Sequence, residues 1–501
     1  MKIVRNILLA LLLPLAVSAQ LKVAHIFTDN MVLQRGERIH IWGSGVPGQK
    51  VQVRLAGKST TATVKPDSSW SVYFAKQKAN PKPQAVTMTS GSEEIQLRNI
   101  LIGDIWICSG QSNMEWTMNK EMHWKQEAAN ALQPLIRFNN PPPAGRYVYG
   151  VAYTDSLNRR LTTKDFYQWE NWQVCDSATI EKMSAVAYYF AKEIVQKENI
   201  PIGLINLSIG GAPIETFISR EGLQHSLQFA AKVQGDWLQN TNLPEWIRQR
   251  GSENVGSNIN GYKDDLGLNH AYKPGFAFAA GIKPLLPLPI KGVIWYQGES
   301  NSLEVDRVAE YRALQHLLSD DYRSHWHQPD MPFYWVQLSS IDTANYQSQY
   351  WPQFRDEQRK LLNEVQHAGM AVSSDIGFKN NVHPTNKKAV GERLARWALN
   401  KNYGEKIVPS GPLPLKALYQ NGKVIVSFQF DKGLKTSDGE KLRGFSINGK
   451  TDVQAVIEND RVIIYANQKP ACIYYGWKPF TDGNLVNAEQ LPASTFKIQV
   501  L

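Results

Sequence analysis

Five short, almost wholly apolar runs recur between residues 100 and 374: ILIGDIWIC (100–108), PIGLINLSI (201–209), IKGVIWYQ (290–297), PFYWVQL (332–338) and GMAVSS (369–374). A strand that is apolar on both faces must be covered on both faces, and the longer amphipathic stretches between the runs can supply that cover. Val308, Tyr311, Leu314, Leu318 and Tyr322 fall on one helical face, and VGERLARWAL (390–399) has the same spacing. Strand and helix alternating in this way predict a parallel, doubly wound α/β sheet over residues 100–403. Ligands of such sheets sit beyond the carboxyl ends of the strands, so the residues just after each apolar run are the candidates for chemistry.

The flanks read differently. RIHIWGSG, KVQVRLAG and AVTMTSG in 20–99, and KVIVSFQF and RVIIYANQ in 404–501, alternate with period two and are cut by Gly, Pro, Asp and Ser. Both ends are therefore expected to be antiparallel β-structure, as separate units or as one composite sandwich. Residues 223–272 are polar and weakly patterned, and read as an insertion or lid over the catalytic edge. Residues 1–19 begin with Lys2 and Arg5, continue through an apolar run broken by Pro14, and end in small residues at Ala19. That is the form of a secretory signal, too short to span a bilayer, so an exported periplasmic or extracellular protein without a membrane span is expected.

Composition narrows the function classes. The formal charge of +10 is spread thinly, with no run of five like charges, which argues against a nucleic-acid partner. Cys108, Cys175 and Cys472 allow at most one internal disulfide, so the fold rests on its cores. No CxxC or HExxH occurs, and His325 and His327 in SHWHQPD read as a solvated loop; neither metal nor other cofactor is expected.

Four strand-end clusters remain. The first apolar run leads into Ser109-Gly110-Gln111-Ser112, where a hydroxyl at a helix start would face backbone amides that favour an oxyanion, although a Ser there also reads as a plain N-cap. Gly210-Gly211 could bring an amide close to a substrate or simply make a tight turn. Gln297-Gly298-Glu299-Ser300-Asn301 is a dense polar set in which Gln297 could complete an oxyanion hole and Glu299 could orient a histidine. Alternatively, it is a capped loop. His383 precedes Pro384, which suits the first turn of the helix through 390–399. A Ser and a His at strand ends of one sheet are what nucleophilic acyl transfer needs. Trp116, Trp295 and Asn301 lie close enough in sequence to bind a sugar, although Trp is commonly core.

SGQSNM, WYQGESN and HPTNKKAVGERLA together resemble the sialate O-acetylesterase family of the SGNH/GDSL-type hydrolases, and DNMVLQRG, SAVAYYFAKEI and NLVNAEQLPASTF extend the resemblance over nearly the whole chain. It implies an SGNH-like α/β/α hydrolase with accessory β-structure, no metal, and removal of O-acetyl groups from sugars, with an acetylated glycan or sialic acid as substrate. Carried over, it makes Ser112 the nucleophile and His383 the base, and places oxyanion donors at Ser112, Gly211 and Gln297. Asn381 stands where many relatives have an Asp, which leaves the third triad member open between Glu299, Asp375 and none, with Glu299 preferred. GFAFAAGIKPL also departs from the family phrase. Acetyl xylan or another polysaccharide is the alternative substrate, and a non-catalytic carbohydrate-binding protein the alternative of another class.

Overall fold

The computed structural model describes residues 20–258, 260–343 and 346–501; the signal read over 1–19 lies outside the described residues. Its centre is a sheet of strands β1 (Glu93–Gly110), β2 (Gln133–Asn139), β3 (Gln173–Cys175), β4 (Ile202–Asn206), β5 (Gly292–Tyr296), β6 (Phe333–Gln337) and β7 (Ala368–Val372). They lie in the order β3-β2-β4-β1-β5-β6-β7, with every neighbouring pair parallel except β3 with β2. The expected parallel sheet thus carries one antiparallel edge strand. From β1 the chain first fills one side, going out to β2 and β3 and returning to β4, and then, through β5, fills the other, so the topological switch lies at the carboxyl end of β1.

Helices α1 (Ser112–Glu115), α2 (Ala185–Glu198), α3 (Glu245–Val255), α4 (Val305–Trp326), α5 (Trp351–Lys360) and α6 (Lys387–Ala398) complete the parts used below. The face read from sequence for α4 is the buried one: Val308, Tyr311, Leu314, Leu318 and Tyr322 are all inaccessible to solvent. Residues 223–272 are more ordered than their composition suggests, holding all of α3 and a hairpin of Lys263–Asp264 and Gly267–Leu268.

β1 is eighteen residues long and belongs to two structures at once. Its first half pairs antiparallel with Asn80–Ser90 of the N-terminal β unit, and its second half pairs parallel with β4 and β5. Trp70 and Ile39 of that unit lie in the same continuous core as Trp106 of the sheet. The C-terminal strands, among them Leu413–Gln420, Lys423–Gln429 and Arg461–Tyr465, close around a second core of their own. The two β ends share no sheet. Cys108, Cys175 and Cys472 are free thiols. Among the described residues no helix is long and apolar enough to cross a membrane, and no cluster of His, Cys, Asp and Glu could hold a metal ion.

Candidate active site

The turn after β1 is fixed by its approach to β5. Gly110 has φ +131°, and a Cβ there would lie 2.1 Å from the Tyr296 carbonyl oxygen, so only glycine fits. The next amide, of Gln111, donates to that same carbonyl at 3.0 Å. The Gln111 side-chain oxygen accepts from the Ser300 amide at 3.3 Å, which ties the turn to the loop after β5. Ser112 then opens α1 with its hydroxyl free of the frame.

His383 Nε2 lies 2.7 Å from Ser112 Oγ, joining residues far apart in sequence at the sheet's switch point. The imidazole stacks on Trp116, with ring centroids 5.3 Å apart and planes 25° from parallel. Its backbone amide donates to Asn381 Oδ1 at 2.9 Å. Burial, helped by Lys387 and Lys120, pulls its pKa down to about 4. His383 and Pro384 precede the helix instead of starting it: α6 begins at Lys387, where the Asn386 side chain accepts from the Ala389 amide at 3.1 Å and caps the first turn.

Beneath the pair runs a buried polar chain. Lys387 Nζ donates to Asn113 Oδ1, and Asn113 Nδ2 donates to Glu299 Oε1 and, at 3.0 Å, to the Val382 carbonyl next to His383. Glu299 is 2% and Lys387 0% exposed. Burial pushes the carboxyl up to about 7, against the Asn113 hydrogen bond and the facing ammonium. It pulls the ammonium down to about 7, against Glu299 and Glu121. The chain fixes both residues that flank the Ser–His contact.

Several expected roles are corrected by these contacts. Glu299 hydrogen-bonds Asn113 and not the His383 ring, and Asp375 is held bidentately by Arg393 at 2.7 Å. Among the described residues no carboxylate is hydrogen-bonded to that ring. Gln297 is no free oxyanion donor, because its amide donates to Asn301 Oδ1 at 2.7 Å and to the Ala212 carbonyl at 3.3 Å. Asn301 is fully buried and accepts from the Ile214 amide, so it braces a loop instead of meeting a sugar. Trp295 is equally buried, edge-on to Phe217. The carbonyl of Gly211 accepts from Ser300 Oγ at 2.9 Å, and the glycine beside the nucleophile is Gly210, where an added Cβ would stand 4.0 Å from Ser112 Cβ. Trp116 does reach the site. Asn113 and Lys387 lie within SGQSNM and HPTNKKAVGERLA but carry no role in the sequence reading, because nothing in their spacing shows that they meet across the site.

Residues 256–400 match the family model described as carbohydrate esterase, sialic acid-specific acetylesterase, a stretch that contains His383 but not Ser112. A sialate O-acetylesterase of Mus musculus is 28% identical over 454 residues, 83% of this chain and 80% of the mouse protein. The one from Homo sapiens is 27% identical over 448 residues, 82% and 78% of the two chains. A solved structure, a carbohydrate acetylesterase from Xanthomonas citri, superposes with a TM-score of 0.78 at 27% identity, covering 95% of this chain and 99% of that one. With a family match over the second half of the sheet, relatives aligned over four-fifths of the chain, and one architecture shared nearly end to end, the chain is a carbohydrate esterase similar to the sialate O-acetylesterases.

Proposed function

We propose that this esterase removes acetyl groups from sugar hydroxyls, those of O-acetylated sialic acid foremost, with Ser112 as nucleophile and His383 as base. The observation that carries the reading is the 2.7 Å contact between His383 Nε2 and Ser112 Oγ. His383 takes the hydroxyl proton as Oγ attacks the acetyl carbonyl carbon. The tetrahedral adduct collapses, the bond to the sugar oxygen breaks, and the imidazolium returns its proton to that oxygen. Water then gives a proton to His383, its oxygen attacks the acetyl-enzyme, and acetate leaves as Ser112 is reprotonated. The Ser112 amide and the backbone of the Gly210–Gly211 turn are the groups at hand for the oxyanion. The orientation that a triad carboxylate would supply comes instead from the Trp116 face and the backbone bond to Asn381.

The β units at 20–99 and 404–501 serve as scaffolding to the hydrolase unit over 100–403. The basic, apolar and small-residue order of 1–19 supports export to the periplasm or beyond the cell. Ser112→Ala should lower kcat by about 10⁴-fold or more on O-acetylated sialic acid and on an aryl acetate, with unfolding unchanged. Acetate release by that variant at the parent rate overturns the mechanism. Release from acetylated xylan but not from acetylated sialic acid overturns the substrate.

A further inference from the structure

The contact between Ser112 and His383 joins two segments that lie outside the sheet, the start of α1 and the loop before α6. Trp116 and the bond to Asn381 set the tilt of the imidazole. A stacked ring can slide over its neighbour, so they do not fix how far the base stands from the hydroxyl. One side chain bridges the two segments. Asn113 follows Ser112, Val382 precedes His383, and Asn113 Nδ2 donates to the Val382 carbonyl at 3.0 Å. Asn113 is only 1% exposed, so the bond is shielded from solvent.

Opposite charges hold this carboxamide one way round. Its Oδ1 accepts from the Lys387 ammonium, and its Nδ2 donates also to Glu299 Oε1. Turned over, it would set its donors against the ammonium and its oxygen against both the carboxylate and the Val382 carbonyl. Glu299 Oε2 is buried without a hydrogen-bond partner. Beyond Asn113, Lys387 Nζ faces the rings of Trp116 and Tyr296, each with its centroid 5.4 Å away. Buried ions so sparsely paired seldom strengthen a fold over apolar residues of the same size, so stability does not account for their place. Trp116 is also the ring stacked on His383, which gives the ammonium a second route to the base.

We propose that Asn113 is a positioning residue for the acyl transfer: its carboxamide sets the distance between nucleophile and base, and Lys387 and Glu299 keep it the one way round that can do so. The proposal rests on the esterase reading of Ser112 and His383. In a triad, a carboxylate bonded to the ring holds the base. Here the hold is on the backbone beside the ring and comes from the helix that carries the nucleophile. A shift of either segment that would part hydroxyl and imidazole must first break the Val382 bond. A misplacement of about 1 Å at such a contact costs about a hundredfold in rate. Asn113 acts on that distance and not on the substrate, so its effect belongs to kcat.

The test measures kcat and KM on an aryl acetate and on an O-acetylated sialic acid, the rate at which a fluorophosphonate modifies Ser112, and thermal unfolding. It compares the parent with Asn113→Ala, Asn113→Asp, Asn113→Asp combined with Glu299→Gln, and Ser112→Ala. Asn113→Ala should lose about ten- to a hundredfold in kcat on both esters and as much in the fluorophosphonate rate, with KM within about twofold. Asn113→Asp keeps an acceptor for Lys387 but sets another against Glu299 and Val382, and should lose at least as much. Adding Glu299→Gln supplies a donor to the new carboxylate and should recover about tenfold in kcat at unchanged KM. A double variant no faster than Asn113→Asp overturns the proposal, because the direction of the amide then counts for nothing. A loss confined to KM also overturns it. Should Asn113→Asp fail to fold, Asn113→Ala decides alone. Parent rates in Asn113→Ala, with Ser112→Ala inactive, overturn the positioning role and leave the esterase standing. Aryl acetate hydrolysis indifferent to Ser112→Ala overturns both.

Discussion

At the residue scale, His383 is flanked by cations where a triad would put a carboxylate. Burial first, then Lys387 and Lys120, bring its pKa from the ordinary 6.5 to about 4. The base works only when neutral, so the acid limb of kcat/KM should fall near pH 4 and not near 6.5. Removing a cation makes protonation easier, and Lys387→Met should move that limb to higher pH. Asn381→Asp, which sets an anion beside the same loop, should raise it by about one unit. A pH profile of the three proteins measures this, and an unmoved limb in both variants excludes the electrostatic account. Stability has the same sign: the unfolded histidine binds its proton near 6.5 and the folded one only near 4, so stability is full above pH 6.5 and is lost as pH falls toward 4. Sequence could locate Ser112 and His383 because each follows a strand or opens a loop of recognisable chemistry. It could not separate Gln297, Asn301 and Trp295 from site residues, because whether a polar group faces the ligand or a neighbour depends on partners supplied by other elements. Here those partners are Ala212, Ile214 and Phe217.

At the scale of elements, the apolar runs were legible as strands because burial on both faces leaves an unbroken apolar text. Three residues of β3 leave too little text, and the polar EWIRQRGSENV of α3 hides a helix whose burial is local. Within α3, a Cβ on Gly251 would meet the Trp237 ring at 2.2 Å, so the residue that most disguises the helix is the one its packing requires. The start of α6 differs from its sequence expectation for a similar reason: Pro384 suits a first turn, but the Asn386 cap sets it three residues later. That cap orients Lys387 into the chain beneath Ser112. Asn386→Ala should cost about 1 kcal/mol in denaturant unfolding, and Asn386→Ser should recover most of it. A midpoint equal to the parent's in the alanine variant would show that tertiary packing alone holds the turn.

For the molecule as a whole, the two ends are joined to the sheet by different means. The N-terminal unit continues β1 and shares its core, so no local unfolding can release it without tearing the strand that ends at Ser112. The C-terminal unit has its own core, and a set of polar contacts around Arg355, at 0% exposure, helps to hold it to the sheet. Arg355 donates to Ser340 Oγ at 3.0 Å, to the Gly476 carbonyl at 2.9 Å and to the Pro479 carbonyl at 3.3 Å. Close by, the Thr495 amide donates to Gln337 Oε1 at 3.2 Å. No alternation or periodicity encodes such a clamp, since its acceptors are backbone carbonyls of a distant loop. Arg355→Met fills the space with an apolar chain and leaves those carbonyls buried and unpaired, at about 1–3 kcal/mol each where water does not replace the donor. Because the two cores are distinct, the loss should fall on their docking before it falls on either fold. The variant should therefore unfold in two steps, and protease should cut it between residues 404 and 412, where the connecting chain has no regular structure. A single transition at the parent midpoint, with the connection still resistant, would mean that apolar contacts across the junction suffice without the guanidinium.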